Sequence, residues 1–81
     1  MLSPKPIDAI CEGSRLQRLR IERRWLRVRH VLETWVIQGA WWHREERRVY
    51  ARVLADGTVV EVYRRTVERV SPTWFLARKV D

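Results

Sequence analysis

VYARVLADGTVVEVYR, residues 49–64, carries the strongest structural signal in this chain. Its two halves are rich in β-branched and aromatic residues, and apolar and polar positions alternate as they do in half-buried strands. Asp56-Gly57 stands between the halves and supports the positive φ angles of a tight hairpin turn. We therefore predict strands over Val49–Leu54 and Thr58–Arg64, in which Val60 and Val62 face one way and Val59, Glu61 and Tyr63 the other.

Upstream of this hairpin, shorter segments repeat the alternation. Ile7 to Cys11 predicts a strand with Ile7 and Ala9 on one face, and Glu12-Gly13-Ser14 is a turn signal. The pattern then predicts a strand over Arg15–Glu22 with Leu19 and Ile21 on one face and Arg18 and Arg20 on the other. After a tight turn predicted at Arg23-Arg24, Trp25–Arg29 alternates again, with Leu26 and Val28 opposite Trp25, Arg27 and Arg29.

Residues 29–38 fit two structures. Val28, Val31, Leu32, Trp35 and Val36 follow helical spacing, and Gly39 would end a helix well. The same stretch is rich in β-branched and aromatic residues, and a bulge near His30–Val31 would reconcile the change of phase with a long strand. We favour the bulged strand, followed by a turn at Gln38-Gly39 into Ala40-Trp41-Trp42.

The remaining segments complete a single domain over residues 1–81. Residues 1–6 form a flexible lead-in, His43–Arg48 a charged connection, Arg65–Pro72 a loop and Trp74–Val80 a last strand. Five to six short strands joined by turns predict a mostly β fold, either a small antiparallel barrel or a strongly twisted sheet. The one helix that the pattern allows is a short one near 29–38.

The charge of the chain points to an anionic partner. The net charge is +7 and the pI is near 11.0, and 15 of the 17 basic residues are Arg. Arg suits phosphate recognition because its guanidinium makes bidentate contacts and stacks on rings, although codon bias or a thermophilic source would also enrich it. A single cysteine, no apolar run of membrane-spanning length and no signal-peptide pattern predict a cytoplasmic protein without a membrane partner.

Interleaved arginine and tryptophan residues form the candidate binding site. If the second and third strands pair, their outward faces place cations beside an indole, and such a surface would hold phosphates and stack bases. The alternatives are a solvated face whose Arg stems cover the indole, or a docking surface for an acidic protein. The candidate residues are Arg18, Arg20, Trp25, Arg27 and Arg29, joined by one of Trp41 or Trp42, and by Arg52 and Arg64 if their strands neighbour this face.

Trp41 and Trp42 are adjacent, so on a strand one would point into the core and the other to the surface. The exposed indole would serve as a stacking platform or an interface anchor, or would merely cover the end of a barrel.

Catalysis finds no support among the reactive residues. His30, His43 and Cys11 lack the spacing of a metal site, and Cys11 is predicted to be a small buried side chain. Glu45-Glu46 lies among arginines, in what we expect to be a solvated loop. With three glycines and no phosphate-binding or nucleophile motif, the chain is predicted to be neither an enzyme nor a cofactor-binding protein.

From Arg20 to Asp81 the chain carries a characteristic series of short segments, which are Trp25–Val28, Val31–Trp35, Gly39–Trp42, Tyr50–Val53, Asp56-Gly57, Glu61–Arg64 and Trp74–Asp81. Their order resembles a family of uncharacterised bacterial domains that occur alone or at the C-terminus of Y-family (ImuB-like) translesion DNA polymerase homologues. The resemblance covers about three quarters of the chain. The chain departs from the family at Glu22-Arg23-Arg24, where relatives often have a Gly turn, and at Arg65–Thr73.

These observations predict a non-enzymatic, nucleic-acid-associated module whose expected partner is DNA rather than RNA, bound without sequence specificity. The resemblance implies a bacterial setting and a link to DNA damage tolerance. The alternative is a protein-interaction or self-association module that docks through exposed Trp and Arg residues on an acidic partner such as a polymerase.

Overall fold

The computed structural model describes residues 5–13, 15–41, 44–66 and 73–80, and only the backbone at 39–41 and 44–46. The described residues form six strands. They are β1 (Lys5–Glu12), β2 (Arg15–Ile21), β3 (Arg24–Trp41), β4 (Arg44–Ala55), β5 (Thr58–Thr66) and β6 (Thr73–Lys79). Lys5 and Pro6 belong to β1, so the predicted lead-in over residues 1–6 was too long.

The six strands form a closed antiparallel barrel. Each strand pairs with the next in sequence, and β1 closes the barrel by pairing with β6, where Ile7 lies opposite Trp74. The described part of the chain contains no helix, which confirms the predicted mostly β class and resolves 29–38 as strand. None of it forms a helix long and apolar enough to cross a membrane.

Alternation along the strands fills the barrel interior with small and medium apolar side chains. As predicted, Leu19 and Ile21 point inward from β2, and Val60 and Val62 do so from β5. Burying an aliphatic side chain of this size contributes about 1.5–3 kcal/mol. The core cluster is Leu19, Ile21, Ala51, Val53, Ala55, Val60 and Val62.

Strand β3 is a long strand with irregularities where the sequence changes phase. Its register against β4 shifts between Val28 and His30 and again between Val31 and Glu33, which confirms the predicted bulge. The predicted turn at Gln38-Gly39 was wrong, because both residues continue the ladder and pair with Arg47 and Glu46. The predicted charged connection was also wrong from Arg44 onward, since β4 begins there.

The hairpin turns rest on residues with positive φ. Glu22 and Arg23 have φ angles of 52° and 67°, which is the conformation of a two-residue type I′ turn. This turn lies one residue earlier than predicted, and Arg24 already pairs with Ile21. At the β4–β5 hairpin, the predicted Asp56-Gly57 turn is confirmed, with a φ of 51° at Asp56.

An aromatic row crosses the outer surface of four strands. Trp35, Tyr50, Tyr63 and Phe75 are register neighbours, and successive ring centroids lie 5.3, 4.9 and 5.0 Å apart. Such cross-strand aromatic pairs stabilise a sheet beyond the area that they bury. The row therefore stabilises the sheet on its outer face, which the apolar core does not contact.

The β2–β3 turn predicts an unusual gain in stability from a surface glycine. Arg23→Gly should raise the free energy of unfolding by about 0.5–1 kcal/mol, because glycine adopts positive φ without a Cβ penalty. Arg24→Gly is the matched control, and it should lower stability by a similar amount because Arg24 lies in β3. Urea unfolding of both variants measures the difference, and a loss of stability in Arg23→Gly would contradict the turn geometry.

Candidate functional site

The β2–β3 hairpin brings four of the predicted site residues together. Arg18 lies directly opposite Arg27, and Arg20 lies directly opposite Trp25. All four point outward because Leu19 is buried between the two arginines of β2. We call Arg18, Arg20, Trp25 and Arg27 the arginine face.

The charges of this face are only partly compensated. Arg20 forms a long ion pair of 3.6 Å with Asp8 on β1, and both side chains are exposed. Arg18 and Arg27 make no side-chain ion pair within the described residues, although like charges directly opposite on a sheet destabilise it. Among the described residues, the face therefore presents two guanidinium groups without a carboxylate partner beside one that is weakly paired.

Trp25 supplies the aromatic part of the face. Its side chain is 47% exposed, a large fraction for a residue of this size. It lies at the end of the hairpin beside the turn at Glu22 and Arg23. One indole is thus available to a flat ligand next to the cations.

Asp56 holds Arg27 in place from the neighbouring hairpin. The backbone N–H of Arg27 donates to Asp56 Oδ2 at 3.2 Å, and the backbone N–H of Asp56 donates to the carbonyl of Arg27 at 2.9 Å. Asp56 Oδ1 also lies 3.6 Å from Arg29 Nη2, so Arg29 is paired with a carboxylate at the margin of the face. Sequence reasoning assigned Asp56 to a turn, because no local pattern reveals a contact 29 residues away.

Arg52 does not extend the arginine face. Its Nη2 lies 2.7 Å from Glu61 Oε2, and its Nη1 lies 3.2 Å from Glu33 Oε2. Arg78 approaches the other oxygen of Glu61 at 2.8 Å, so four charged residues form a row across β3, β4, β5 and β6. The charge of Arg52 is taken up by this row.

Arg64 also lies apart from the face, for a different reason. It follows Val60 and Val62 in the alternation of β5, and its side chain lines a cavity at one mouth of the barrel together with Trp74 and Val49. The expectation that Arg64 joins the outer strip was therefore wrong. Arg64 points inward because it is two residues beyond Val62 on β5, and alternate residues of a strand share a face.

Glu61 is a buried carboxylate in the charged row. Hydrogen bonds from Arg78 and Arg52 lower the pKa of Glu61, and they outweigh the opposing effect of desolvation. Next to Arg78 on β6, Lys79 donates a hydrogen bond to Glu22, and this bond and the charge of Lys79 lower the pKa of Glu22. Both carboxylates are thus held ionised, and their pKa values are moved away from the neutral range that favours acid–base catalysis.

The remaining predicted residues either fall outside the described part of the chain or differ from the sequence prediction. Trp42 and His43 fall outside the described residues, and for Trp41 only the backbone is described, in its pair with Arg44. Cys11 is exposed, so the prediction of a buried thiol was wrong. The register between β1 and β2 shifts at Cys11, and such an irregularity breaks the simple inward-outward alternation.

Comparison with known proteins adds nothing to this geometry. No family model, no curated protein and no solved structure matches the chain.

The charged row predicts a pH-dependent stability that depends on one carboxylate. Glu61→Gln should cost about 1–2 kcal/mol near neutral pH, because a nearly buried acceptor of charged hydrogen bonds is lost. Folding lowers the pKa of Glu61 from the ordinary glutamate value of 4.5. Its contribution to the free energy of unfolding is therefore complete above pH 4.5 and disappears as the pH falls through the lower pKa of the folded state. Unfolding curves of the wild-type protein and the variant should therefore converge in acid.

Glu33→Gln is the matched control, because Glu33 contacts the same Arg52 but is more than half exposed. Its effect should stay within about 0.5 kcal/mol at any pH. A Glu61→Gln difference that persists unchanged at low pH would contradict the assigned role of the carboxylate.

Proposed function

We propose that this protein binds nucleic acid, with DNA rather than RNA as its partner, without sequence specificity through the arginine face, in the bacterial cytoplasm. The observation that carries the proposal is the register of β2 and β3, which sets Arg18 opposite Arg27 beside an exposed Trp25. The resemblance to domains of translesion polymerases extends the proposal to DNA damage tolerance. No site residue is assigned to catalysis, and no cofactor is required.

Electrostatics supply the affinity. Two guanidinium groups without carboxylate partners repel each other across the strands, and a phosphate placed between them would turn that repulsion into two charge-assisted hydrogen bonds. The net charge of +7 adds a long-range attraction for a polyanion. Contacts of this kind follow the backbone of the nucleic acid and carry no sequence information.

Trp25 favours single strands over duplexes. The bases of a single strand are free to stack on an exposed indole, whereas those of a duplex are already stacked on one another. Arg20 lies directly opposite Trp25, so a phosphate and its neighbouring base would meet adjacent side chains. We therefore expect tighter binding of single-stranded DNA.

Removing the two free cations should weaken DNA binding and flatten its salt dependence. Arg18→Gln/Arg27→Gln should reduce the slope of log affinity against log salt by about 1.5 units, since each phosphate contact releases most of one counterion. The measurement is fluorescence anisotropy with single-stranded DNA of about 20 nucleotides and duplex DNA of about 20 base pairs. These lengths exceed the binding-site size of a small barrel. Salt is varied between about 50 and 200 mM.

Lys5→Gln/Arg47→Gln is the control, because it removes the same charge from exposed positions on β1 and β4. This control should retain most of the affinity. Equal losses in both double variants would reduce the effect to net charge, and undetectable or salt-insensitive binding by the wild-type protein would refute DNA binding.

The stacking contribution is tested at a single position. Trp25→Ala should weaken single-stranded DNA binding by about tenfold, in line with 1–3 kcal/mol for a base stacked on an aromatic ring. Duplex binding should change much less. A uniform loss for both DNA forms, or no change in either, would remove Trp25 from the interface.

A second candidate function rests on the second edge of β3. Beyond Arg27, none of the described strands pairs with this edge, and it carries exposed apolar side chains at Val31, Leu32, Val36 and Ile37. Unpaired edges accept an added strand from a partner. Because a second copy would bring another +7 charge, an acidic protein such as a polymerase is the better partner for strand addition.

Light scattering after size exclusion separates DNA binding from self-association through the edge of β3. The nucleic-acid proposal expects a monomer that shifts on adding an oligonucleotide, and Leu32→Lys should leave that shift intact. A dimer without an oligonucleotide shift would favour self-association through the edge. Oligonucleotide binding that disappears in Leu32→Lys, with the fold retained by circular dichroism, would move the interface to the edge.

A further inference from the structure

A cavity opens at the barrel mouth where β2 and β3 part. The two strands pair from Ile21/Arg24 to Arg18/Arg27 and no further, so the described residues leave the wall open between the start of β2 and the middle of β3. The cavity behind this opening has a volume of about 390 Å³. Arg18 and Arg27 do not line this cavity. They line a neighbouring groove on the outer side, which shares Arg15, Leu16 and Val28 with the cavity.

Cations without carboxylates line this cavity. Arg15, Arg29 and Arg64 all contribute to the wall, and no Asp or Glu is among the described lining residues. Arg29 has its own partner, because it pairs with Asp56. Arg15 and Arg64 have no ion pair or hydrogen bond within the described part of the chain.

Arg64 is the most informative of the three. Its Nε is fully buried and has no hydrogen-bond partner among the described residues. A guanidinium N–H removed from water without an acceptor is costly, and burial of a charge is tolerated when an anion pairs with it. An inward-facing Arg in an otherwise apolar row of β5 therefore lacks the acceptor that its burial requires.

The rest of the cavity combines apolar and aromatic side chains with His30 and Thr34. Trp74 lies directly opposite Arg64 in the β5–β6 register, and Val49 lies opposite Arg64 on β4. Both line the cavity, as do Leu16 and Val31. A ligand whose charged group reaches Arg64 would thus rest its body on an indole and on aliphatic side chains.

We propose that the barrel mouth is a binding site for a small organic anion, with a carboxylate or phosphate held by Arg64 and Arg15 and an apolar body packed against Trp74. The volume lies at the lower end of the range for small-molecule sites. It fits one ring or a short chain beside the anionic group. This site does not depend on the arginine face, and either proposal stands if the other fails.

The test uses pairs of probes that differ in charge or in the apolar body. Titration of the full chain with 3-phenylpropionate, followed by backbone amide NMR shifts, should affect residues 31–34, 64 and 74. The uncharged 3-phenylpropanamide should bind at least about tenfold more weakly, because the charged hydrogen bonds are lost. Comparing the affinities of phenyl phosphate and 3-phenylpropionate identifies the preferred anionic group. Acetate and inorganic phosphate lack the apolar phenyl group, so they should bind more weakly than either.

Arg64→Met tests the assigned residue. It should abolish the preference for the acid over the amide, and it should not lower the melting temperature, because the buried Nε without a hydrogen-bond partner is gone. Arg18→Gln/Arg27→Gln, which alters only the outer face, should bind 3-phenylpropionate as the wild-type protein does.

Three results would overturn the proposal. They are equal binding of acid and amide by the wild-type protein, an unchanged preference in Arg64→Met, and amide shifts confined to β2 and the arginine face. The comparison of acid and amide needs no substitution, so a variant that fails to fold leaves the test intact. Loss of DNA binding in Arg18→Gln/Arg27→Gln without loss of 3-phenylpropionate binding would separate the two sites.

Discussion

The narrow interior of the barrel is the constraint on which the remaining features depend. Six strands enclose room for one layer of side chains, so the inward positions need apolar residues of limited volume. Ala51 and Ala55 alternate with Val53 on β4, and they face the larger Leu19 and Ile21 of β2. Because alternation has a period of two, filling the interior also fixes which residues point outward. The arginines of β2 are exposed as a direct result of the burial of Leu19.

The outward arginines fall into two groups that composition cannot separate. Arg52 and Arg78 share Glu61, and their hydrogen bonds lower the pKa of that carboxylate. Arg18 and Arg27 have no such partner within the described residues. A net charge of +7 is compatible with either arrangement. The strand register determines where the cations without carboxylate partners lie. The register of β2 and β3 places them beside the exposed indole of Trp25.

Local patterns predicted the elements whose signals are complete within a few residues. The β4–β5 hairpin, the facing of Leu19 and Ile21, and the bulged β3 all followed from alternation, turn residues and phase. The turn at Glu22 and Arg23 was misplaced because two non-glycine residues at positive φ leave no local signature. The turn expected at Gln38-Gly39 failed because pairing with β4 outweighs the weak turn preference of a single Gly. Four of the nine candidate residues could be placed for the same reason, because Arg18, Arg20, Trp25 and Arg27 needed only the pairing of adjacent strands. The ion pairs of Arg52 with Glu61 and of Arg29 with Asp56 depend on partners that are distant in sequence.

The parting of β2 and β3 after Arg18 and Arg27 links the surface to the cavity. While the strands are paired, their inward residues seal the core and their outward residues form the arginine face. Where they part, the bulges of β3 turn that strand away, and the inward position of β5 at this level is occupied by Arg64. An aliphatic residue at position 64 would serve if packing were the only requirement, because Val49 and Trp74 on the flanking strands are apolar. An arginine with a buried and unsatisfied Nε is costly there unless an anion enters the cavity. The proposed ligand would supply the acceptor that Arg64 lacks among the described residues.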